Sequence, residues 1–364
     1  MPNLDFEGWM AVTPLVNIVM LARDLLEGSV QPWLATAAVC STIFYIAAAI
    51  GLAARIFGTD AILYGSQATW SDLVRRPSEP QPAASLAAAM FCLALMFPSY
   101  FVLANSLGRS AEFSMERQLV VRALITAAIF GGIPVIIAML GRVRWSSGLG
   151  LRRASPAAIA AAVILGLSLW PAAHELAWLC TRYGLLTINP EMLKKVQMIV
   201  HQFQAQPLWL ILVTFGLVPA VFEELCFRGL IFGSLRERLT GTWAVIETAL
   251  LFGFFHEVLF PGKLVPTAAL GLVLGWVRLR SGSVLPGMVL HAIHNGLVLS
   301  ILYYSDELVS SGLDVKDEVH LPLTWHVLAA VGIVVGVGLL MAAKRGRGQL
   351  ASESSSSDSA ASRC

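Results

Sequence analysis

The stretch Val221-Phe222-Glu223-Glu224-Leu225-Cys226-Phe227-Arg228-Gly229 decides how this chain folds and where its chemistry lies. It places two adjacent carboxylates and an arginine inside an apolar run from residue 208 to residue 235. Charge in a hydrocarbon environment is costly, so ionisable side chains at bilayer depth are rare and commonly serve a function. This stretch is therefore the first candidate site in the chain.

A helix gives the two carboxylates different surroundings. Glu224 and Arg228 are four residues apart, about one helical turn, so they can neutralise each other and support the structure. Glu223 points about 100° away around the helix axis and has no such partner. A carboxylate that no cation neutralises can accept a proton from water as a general base. Glu223 is therefore the catalytic candidate, and Glu224 with Arg228 is its structural support.

The composition of the whole chain indicates a membrane protein. Of its 364 residues, 57% are hydrophobic and 13% are charged, and the mean hydropathy is +0.72. Soluble domains carry about 25% charged residues. The sequence therefore predicts an all-α, polytopic helical membrane protein. The net charge of +2 gives no reason to expect a nucleic-acid partner, and the expected surroundings are the lipid bilayer.

The five cysteines show neither a CxxC pair nor a framework spacing, so neither disulfides nor a cysteine metal site is predicted. The N-terminus is acidic and its apolar run lacks a cleavage site, so no cleavable signal peptide is predicted.

A helix needs about 20 apolar residues to cross a bilayer. By that test the sequence predicts nine spans, at 33–57, 84–107, 119–140, 156–179, 208–235, 240–260, 265–280, 283–304 and 321–343. Most arginine-containing loops and the basic segment after residue 343 fall on one side of this arrangement. The positive-inside rule places that side in the cytoplasm. The expected location is a multi-pass plasma (inner) membrane, with a cytoplasmic C-terminus.

Two later spans carry polar residues at helical spacing. Phe252 with His256, and His291 with Asn295, are each four residues apart, so each pair lies on one helix face. Glu223, His256, His291 and Asn295 would all lie roughly 12–24 Å from the cytoplasmic ends of their helices. Three neighbouring helices can therefore bring them around one polar cavity near the bilayer midplane.

Other ionisable residues in the spans fit a structural role better. His294 is adjacent to the second pair but about 80° off its face. Glu247 and the pair His174/Glu175 are interpreted as packing or headgroup contacts. His256-Glu257 begins a string like HExxH, but Phe260 occupies the place of the second histidine, so the soluble zinc-protease motif is absent.

Glu223-Glu224-xxx-Arg228-Gly229, then Phe252-xxx-His256, then His291-xxx-Asn295, on separate helices in this order, resemble the CPBP family. That family comprises the type II CAAX prenyl proteases and bacterial relatives among bacteriocin-processing and immunity proteins. The resemblance implies that Glu223 is the general base and that His256 helps it to orient and deprotonate water. It further implies that Glu224 and Arg228 form an internal salt bridge, and that His291 and Asn295 stabilise the oxyanion.

The same resemblance leaves the cofactor open. In the metalloprotease view of the family, His256, His291 and Glu223 would hold a divalent metal, zinc. Catalytic zinc usually takes three protein ligands, a count that these residues meet. Asn295, in contrast, is a poor zinc ligand and a good oxyanion donor. The metal-free mechanism is slightly favoured.

The N-terminal part of the chain has a resemblance of its own. Thr13-Pro14-Leu15-Val16-Asn17, followed by Arg23-Asp24, is similar to the last membrane segments of ABC-type export permeases. The predicted division is therefore a permease-like membrane segment at 1–107 and a CPBP-like protease domain at 108–343, with its motif core at 208–304. A disordered, serine-rich tail follows at 344–364.

Taken together, the resemblances imply an intramembrane endopeptidase that cuts a membrane-associated or prenylated (CAAX-type) protein or peptide. One alternative is a non-catalytic membrane subunit or adaptor associated with an ABC-type exporter as partner. Another is a transporter with a protonatable site.

Overall fold

The computed structural model describes residues 6, 8–56, 76–108, 113–183, 190–259, 264–310 and 320–361. Regular structure in these residues is helical, and an isolated β-bridge joins Gln81 to Val143. In chain order the helices are α1 Gly8–Ala11, α2 Val16–Glu27, α3 Pro32–Ile56, α4 Leu86–Gly108, α5 Met115–Leu140, α6 Pro156–Ser168, α7 Trp170–Arg182, α8 Pro190–Gln204, α9 Leu208–Arg236, α10 Gly241–Leu259, α11 Leu264–Ser281, α12 Leu285–Tyr303, α13 Ser305–Ser310 and α14 Leu323–Ala361.

Several of these helices are long and apolar enough to cross a membrane. Six pass that test by length and composition, namely α3, α4, α5, α9, α12 and α14. The pair α6 and α7, bent by 42°, gives a seventh if it is counted as one span. This confirms an all-α, multi-pass membrane protein, whereas the predicted count of nine is not confirmed. The identity of the membrane and the side of the C-terminus stay predictions.

The bend between α6 and α7 has a local cause. Pro171 lies in the first turn of α7 and has no N–H to donate to the carbonyl four residues earlier. Its ring also crowds the preceding turn, so the helix axis changes direction at Leu169.

Helix α9, which contains the motif stretch, is not a uniform α-helix. Two π-helical segments, Leu212–Leu217 and Leu225–Ile231, flank a short α-helical segment, Val218–Glu224. Wider turns of this kind are rare and frequently occur at functional sites, where they rotate side chains out of the regular helical register. Glu223 and Glu224 are the last two residues before the second wide segment.

A core of aromatic and sulfur-containing side chains joins the N-terminal helices to the motif helices. The ring of Phe97 in α4 lies 5.2 Å from that of Phe255 in α10. Met96 and Cys226 bring their sulfur atoms within 3.3 Å of each other. The segment 1–107 therefore packs directly against the helices that carry the motifs, although its division from the rest of the chain stays a prediction.

The residues that carry the permease resemblance are bonded within the N-terminal helices. The Asn17 amide donates to the Ser41 hydroxyl of α3 at 3.0 Å, and Arg23 pairs with Asp24 at 2.6 Å. The Asn17 contact holds α2 against α3, whereas the Arg23–Asp24 ion pair lies within α2.

Helix α14 covers α6 on the other side of the bundle. A Cβ atom at Gly336 would lie 2.7 Å from Leu165, so glycine allows the two helices to approach closely. The helix continues to Ala361 and enters the segment 344–364, for which the composition predicts disorder. No proline follows Pro322 to interrupt it.

Candidate active site

A cavity of about 110 Å³ lies between five helices of the bundle. Its walls come from α4, α5, α9, α10 and α12. The residues that line it are Tyr100, Arg122, Thr126, Phe130, Thr214, Phe215, Pro219, Glu223, Phe255, His256 and Asn295. Three of the four predicted catalytic residues, Glu223, His256 and Asn295, therefore face one space.

Glu223 lies in this wall with one carboxylate oxygen unbonded. The residue is 5% exposed, and its Oε2 atom has no hydrogen-bond partner within the part of the chain that the structure describes. Nε2 of His256 lies 3.9 Å from this Oε2 atom. That separation is longer than a hydrogen bond.

The backbone of α10 fixes the orientation of His256. Its Nδ1 lies 2.8 Å from the carbonyl oxygen of Phe252, one turn earlier in the same helix. A carbonyl only accepts, so Nδ1 carries the proton in this contact. In the neutral imidazole, Nε2 is then an acceptor on the side of Glu223. The predicted i,i+4 pairing of residues 252 and 256 thus serves to aim the ring.

Asn295 reaches the cavity from α12. Its Nδ2 donates to the carbonyl oxygen of Phe215 in α9 at 3.3 Å. Pro219, four residues after Phe215, has no N–H to offer that carbonyl. Since the amide nitrogen carries two hydrogens, one remains for a ligand in the cavity.

Glu224 and Arg228 form the buried pair that their spacing predicts. Arg228 Nη1 lies 2.8 Å from Glu224 Oε1, and both side chains are fully buried. Arg228 also donates to the Gly271 carbonyl at 3.0 Å, and its guanidinium lies 4.5 Å from the ring centroid of Phe252. Gly287 leaves room for the acid, because a Cβ there would lie 2.9 Å from Glu224 Oε2.

His291 lies with this pair, not in the cavity wall. Its Nδ1 is 3.3 Å from Glu224 Oε1, and the residue is 2% exposed. The sequence places His291 and Asn295 on one helix face, yet the first contacts the salt bridge and the second contacts Phe215. The helix face is broad enough for residues one turn apart to meet different neighbours.

The donor atoms do not fit a three-ligand zinc site. Among the described residues, no group of three or more His, Cys, Asp or Glu side chains is placed to hold a metal ion. Of the set His256, His291 and Glu223, the first and last face each other, whereas the His291 ring is turned to Glu224.

The weaker candidates lie away from the cavity. His294 is buried, and its Nδ1 has no hydrogen-bond partner in the described part of the chain. Glu175 accepts from His320 at 2.8 Å and lies 3.2 Å from His326, so it ties α7 to the start of α14. Glu247 is exposed on the outside of α10.

Sequence reasoning missed four polar residues of the cavity wall, namely Tyr100, Arg122, Thr126 and Thr214. Tyr100 carries no charge in a long apolar run, and nothing in its neighbourhood singles it out. Arg122 is different, because it is an ionisable residue within the predicted span 119–140. The same reasoning that selected Glu223 could have found it.

Comparison with known proteins finds a family model that matches the segment containing these site residues. Residues 205–297 match the family model described as type II CAAX prenyl endopeptidase, Rce1-like. This range contains α9 to α11 and the part of α12 that carries His291 and Asn295. No curated protein and no solved structure matched the chain. The permease resemblance of residues 1–107 stays a hypothesis. The segment that supplies Glu223, His256 and Asn295 to the cavity is thus the one that is similar to the Rce1-like, type II CAAX prenyl endopeptidase family.

Proposed function

We propose that this chain is an intramembrane endopeptidase that hydrolyses a peptide bond in a membrane-associated or prenylated (CAAX-type) protein or peptide. The observation that supports this best is the pairing of Glu223 with His256 across 3.9 Å in the wall of a small cavity. The family match of residues 205–297 supports the same reaction class.

In the proposed mechanism, a water molecule between Glu223 and His256 is the nucleophile. Glu223 takes one proton from this water, while His256 Nε2 accepts a hydrogen bond from it and orients it. The water oxygen bonds to the carbonyl carbon, and the carbonyl π electrons move to oxygen to give a tetrahedral oxyanion. When the oxyanion collapses, the C–N bond breaks and the proton held by Glu223 passes to the leaving amine. The second water proton leaves the new carboxylic acid by way of His256 Nε2 and reaches the amine, so the products are a carboxylate and an ammonium group.

Asn295 is the proposed donor to the oxyanion. One amide hydrogen of Asn295 bonds the Phe215 carbonyl, which fixes the orientation of the amide group. The second amide hydrogen is therefore a donor with a fixed direction. A donor positioned before the reaction stabilises the developing charge without reorganising.

We assign His291 a positioning role through Glu224. Its Nδ1 faces a carboxylate oxygen, so this nitrogen carries the proton. In the neutral ring, Nε2 is then an acceptor and cannot donate to an oxyanion. His291 would become a donor on both sides only as imidazolium, and Arg228 already supplies the positive charge beside Glu224. This differs from the shared oxyanion role that the family resemblance implies.

The proposed mechanism uses no metal ion, in line with the arrangement of donors around the cavity. All proton transfers can be assigned to Glu223, His256 and the substrate.

The test uses purified protein in detergent micelles and a prenylated-cysteine peptide in water enriched in ¹⁸O. Mass spectrometry of the products should find one cleavage site, with ¹⁸O in the newly formed carboxylate of the N-terminal fragment. An intact peptide would contradict the proposed activity. Cleavage with a stable acyl-enzyme adduct would contradict direct attack by water.

A further inference from the structure

Arg278 is a buried arginine outside the cavity, and one side of its guanidinium has no partner. It lies in the last turn of α11 and is 7% exposed. Its Nε donates to the Arg228 carbonyl in α9 at 2.9 Å, and its guanidinium lies 5.3 Å from the ring centroid of Phe232. Among the residues that the structure describes, no acceptor bonds its Nη atoms and no carboxylate forms an ion pair with it. The Nε contact is structural, and the Nη atoms remain available.

A second arginine lies close to this group. Arg152 is the charged residue that acts on Arg278 electrostatically. Its loop is joined to the segment after α11, because the Ser283 hydroxyl donates to the Arg152 carbonyl at 2.6 Å. Two neighbouring cations repel each other, and a buried charge is costly unless it is paired.

The acids at this end of the bundle do not balance the two arginines. Glu79 and Glu237 are both exposed, and neither forms an ion pair with Arg278 within the described part of the chain. The local charges therefore favour an anionic ligand.

Glycine at position 150 allows the loop to approach the guanidinium. Gly150 has a φ of +66°, in the left-handed region, and a Cβ there would lie 2.6 Å from Arg278 Cζ. Its carbonyl accepts from the Val284 N–H at 3.0 Å. The guanidinium therefore lies between two loops, one joining α5 to α6 and the other joining α11 to α12.

These loops lie at the ends of helices that are long enough to cross a membrane. Helix α5 ends at Leu140 and α9 ends at Arg236. The α5–α6 loop packs on α9, since a Cβ at Gly229 would lie 3.1 Å from the Leu149 carbonyl oxygen. The ends of spanning helices reach the depth of the lipid headgroups, and basic pockets between such helices bind anionic headgroups.

We propose that Arg278 and Arg152 bind the phosphate group of an anionic phospholipid at this end of the bundle. An arginine fork matches two phosphate oxygens. Arg278 supplies a fork in a fixed position, because it is buried and its Nε is held by α9, and Arg152 supplies an exposed second charge. The site does not depend on the proposed peptidase function. Because Arg278 also bonds the helix that carries the motif stretch, the bound lipid should stabilise the fold.

The test measures the binding of single lipids to the full-length protein by native mass spectrometry. Phosphatidylglycerol is the anionic probe, and phosphatidylcholine with the same acyl chains is the zwitterionic comparison. The anionic lipid should bind about tenfold more tightly, because the choline group is repelled by the two arginines. An excess of inorganic phosphate should not displace it. Displacement would mean that the site takes free phosphate, and the assignment to a lipid would be wrong.

Variants of the same protein then locate the site. Arg152→Gln should lower the affinity for phosphatidylglycerol about tenfold and leave that for phosphatidylcholine unchanged. Arg278→Lys keeps the buried charge and loses the fork, so it should weaken binding of the same lipid. Arg236→Gln is the matched control, because Arg236 is an exposed arginine at the same end of the bundle that donates to the Leu239 carbonyl at 2.9 Å. It should bind both lipids like the parent protein.

Equal affinity of the parent protein for the two lipids would overturn the inference. An equal loss of phosphatidylglycerol in Arg152→Gln and Arg236→Gln would also overturn it, because the preference would then come from the basic surface in general. Thermal unfolding gives a second readout that does not depend on the buried variant. Phosphatidylglycerol should raise the Tm of the parent protein more than that of Arg152→Gln, and an equal rise in both would contradict binding at this site.

Discussion

Glu223 and Glu224 are adjacent in the chain and have opposite surroundings. Glu223 lines the cavity with Oε2 unbonded. Glu224 is sealed behind it, 2.8 Å from Arg228 and 3.3 Å from His291. The turn of the helix separates one acid that can exchange a proton with a ligand from another that is already neutralised. The two neighbours should therefore respond differently to the same substitution.

Glu224→Gln should destabilise the fold. It leaves the fully buried Arg228 without its anion, and removal of one partner of a buried pair costs about 3–5 kcal/mol. Thermal unfolding in detergent should show a clear fall in Tm. Glu223→Gln, the matched control one residue away, should change Tm little because Oε2 makes no bond. Equal effects of the two substitutions on Tm would contradict the assignment of Glu224 to structural support.

His256→Gln should reduce the cleavage rate by about 10²–10⁴-fold, the usual contribution of a positioned acid–base group. The expected effect follows from the contact of Nε2 with Glu223 and the fixed Nδ1. It is measured as kcat with a fluorogenic prenylated peptide.

His294→Leu is the matched control for that measurement. His294 is buried, lies outside the cavity wall, and has an Nδ1 without a hydrogen-bond partner in the described residues. An apolar side chain of similar size satisfies such a site without leaving a polar group unpaired. The variant should cleave at close to the wild-type rate, and a loss as deep as that of His256→Gln would argue against the distinction between the two histidines.

Asn295→Ala should lower kcat by about 10²–10³-fold, the typical cost of removing one oxyanion donor. KM should stay nearly constant, because the interaction is made chiefly in the transition state. Ser300→Ala on the same helix is the control, since the Ser300 hydroxyl bonds the Gly296 carbonyl of its own helix at 2.7 Å. A rise in KM with unchanged kcat would assign Asn295 to substrate binding instead.

Removal of divalent metals should leave the activity intact, because the mechanism assigns each proton transfer to protein side chains. The measurement is the cleavage rate after treatment with EDTA and after treatment with 1,10-phenanthroline, together with the zinc content of the purified protein. Loss of activity that zinc alone restores, with one equivalent of bound zinc, would contradict the metal-free mechanism.

The sequence could predict the site where spacing and order carry the information. The i,i+4 pairs fix which side chains share a helix face. Ionisable and polar side chains within apolar runs identify α9, α10 and α12 as the helices that form the site. Glu223, His256 and Asn295 do line one cavity. The Glu224–Arg228 pair likewise follows from one turn of helix.

The sequence could not predict contacts that depend on packing between helices. His291 and Asn295 share a face of α12, but only the tertiary structure decides that one meets Glu224 and the other meets Phe215. The π-helical segments on both sides of Glu223 leave no mark in the composition. Tyr100 comes from a helix with no motif, and it reaches the cavity because α4 packs against α9 and α10.

This packing also limits one obvious experiment. The segment 1–107 supplies Tyr100 to the cavity wall and Phe97 to the core around Phe255. Its deletion should remove activity and stability whether the chain is a protease or a subunit of an exporter. Loss of function in such a deletion therefore cannot separate these hypotheses, and point variants in the cavity can.

The central claim is that Glu223 activates the water that cuts the peptide. The most direct measurement is the single-turnover cleavage rate of a fluorogenic prenylated peptide by purified wild-type protein and by Glu223→Gln, with matched Tm values. The account predicts that the variant stays folded and binds the peptide but loses cleavage by about 10²–10⁴-fold or more. Wild-type cleavage in a folded Glu223→Gln protein would contradict it.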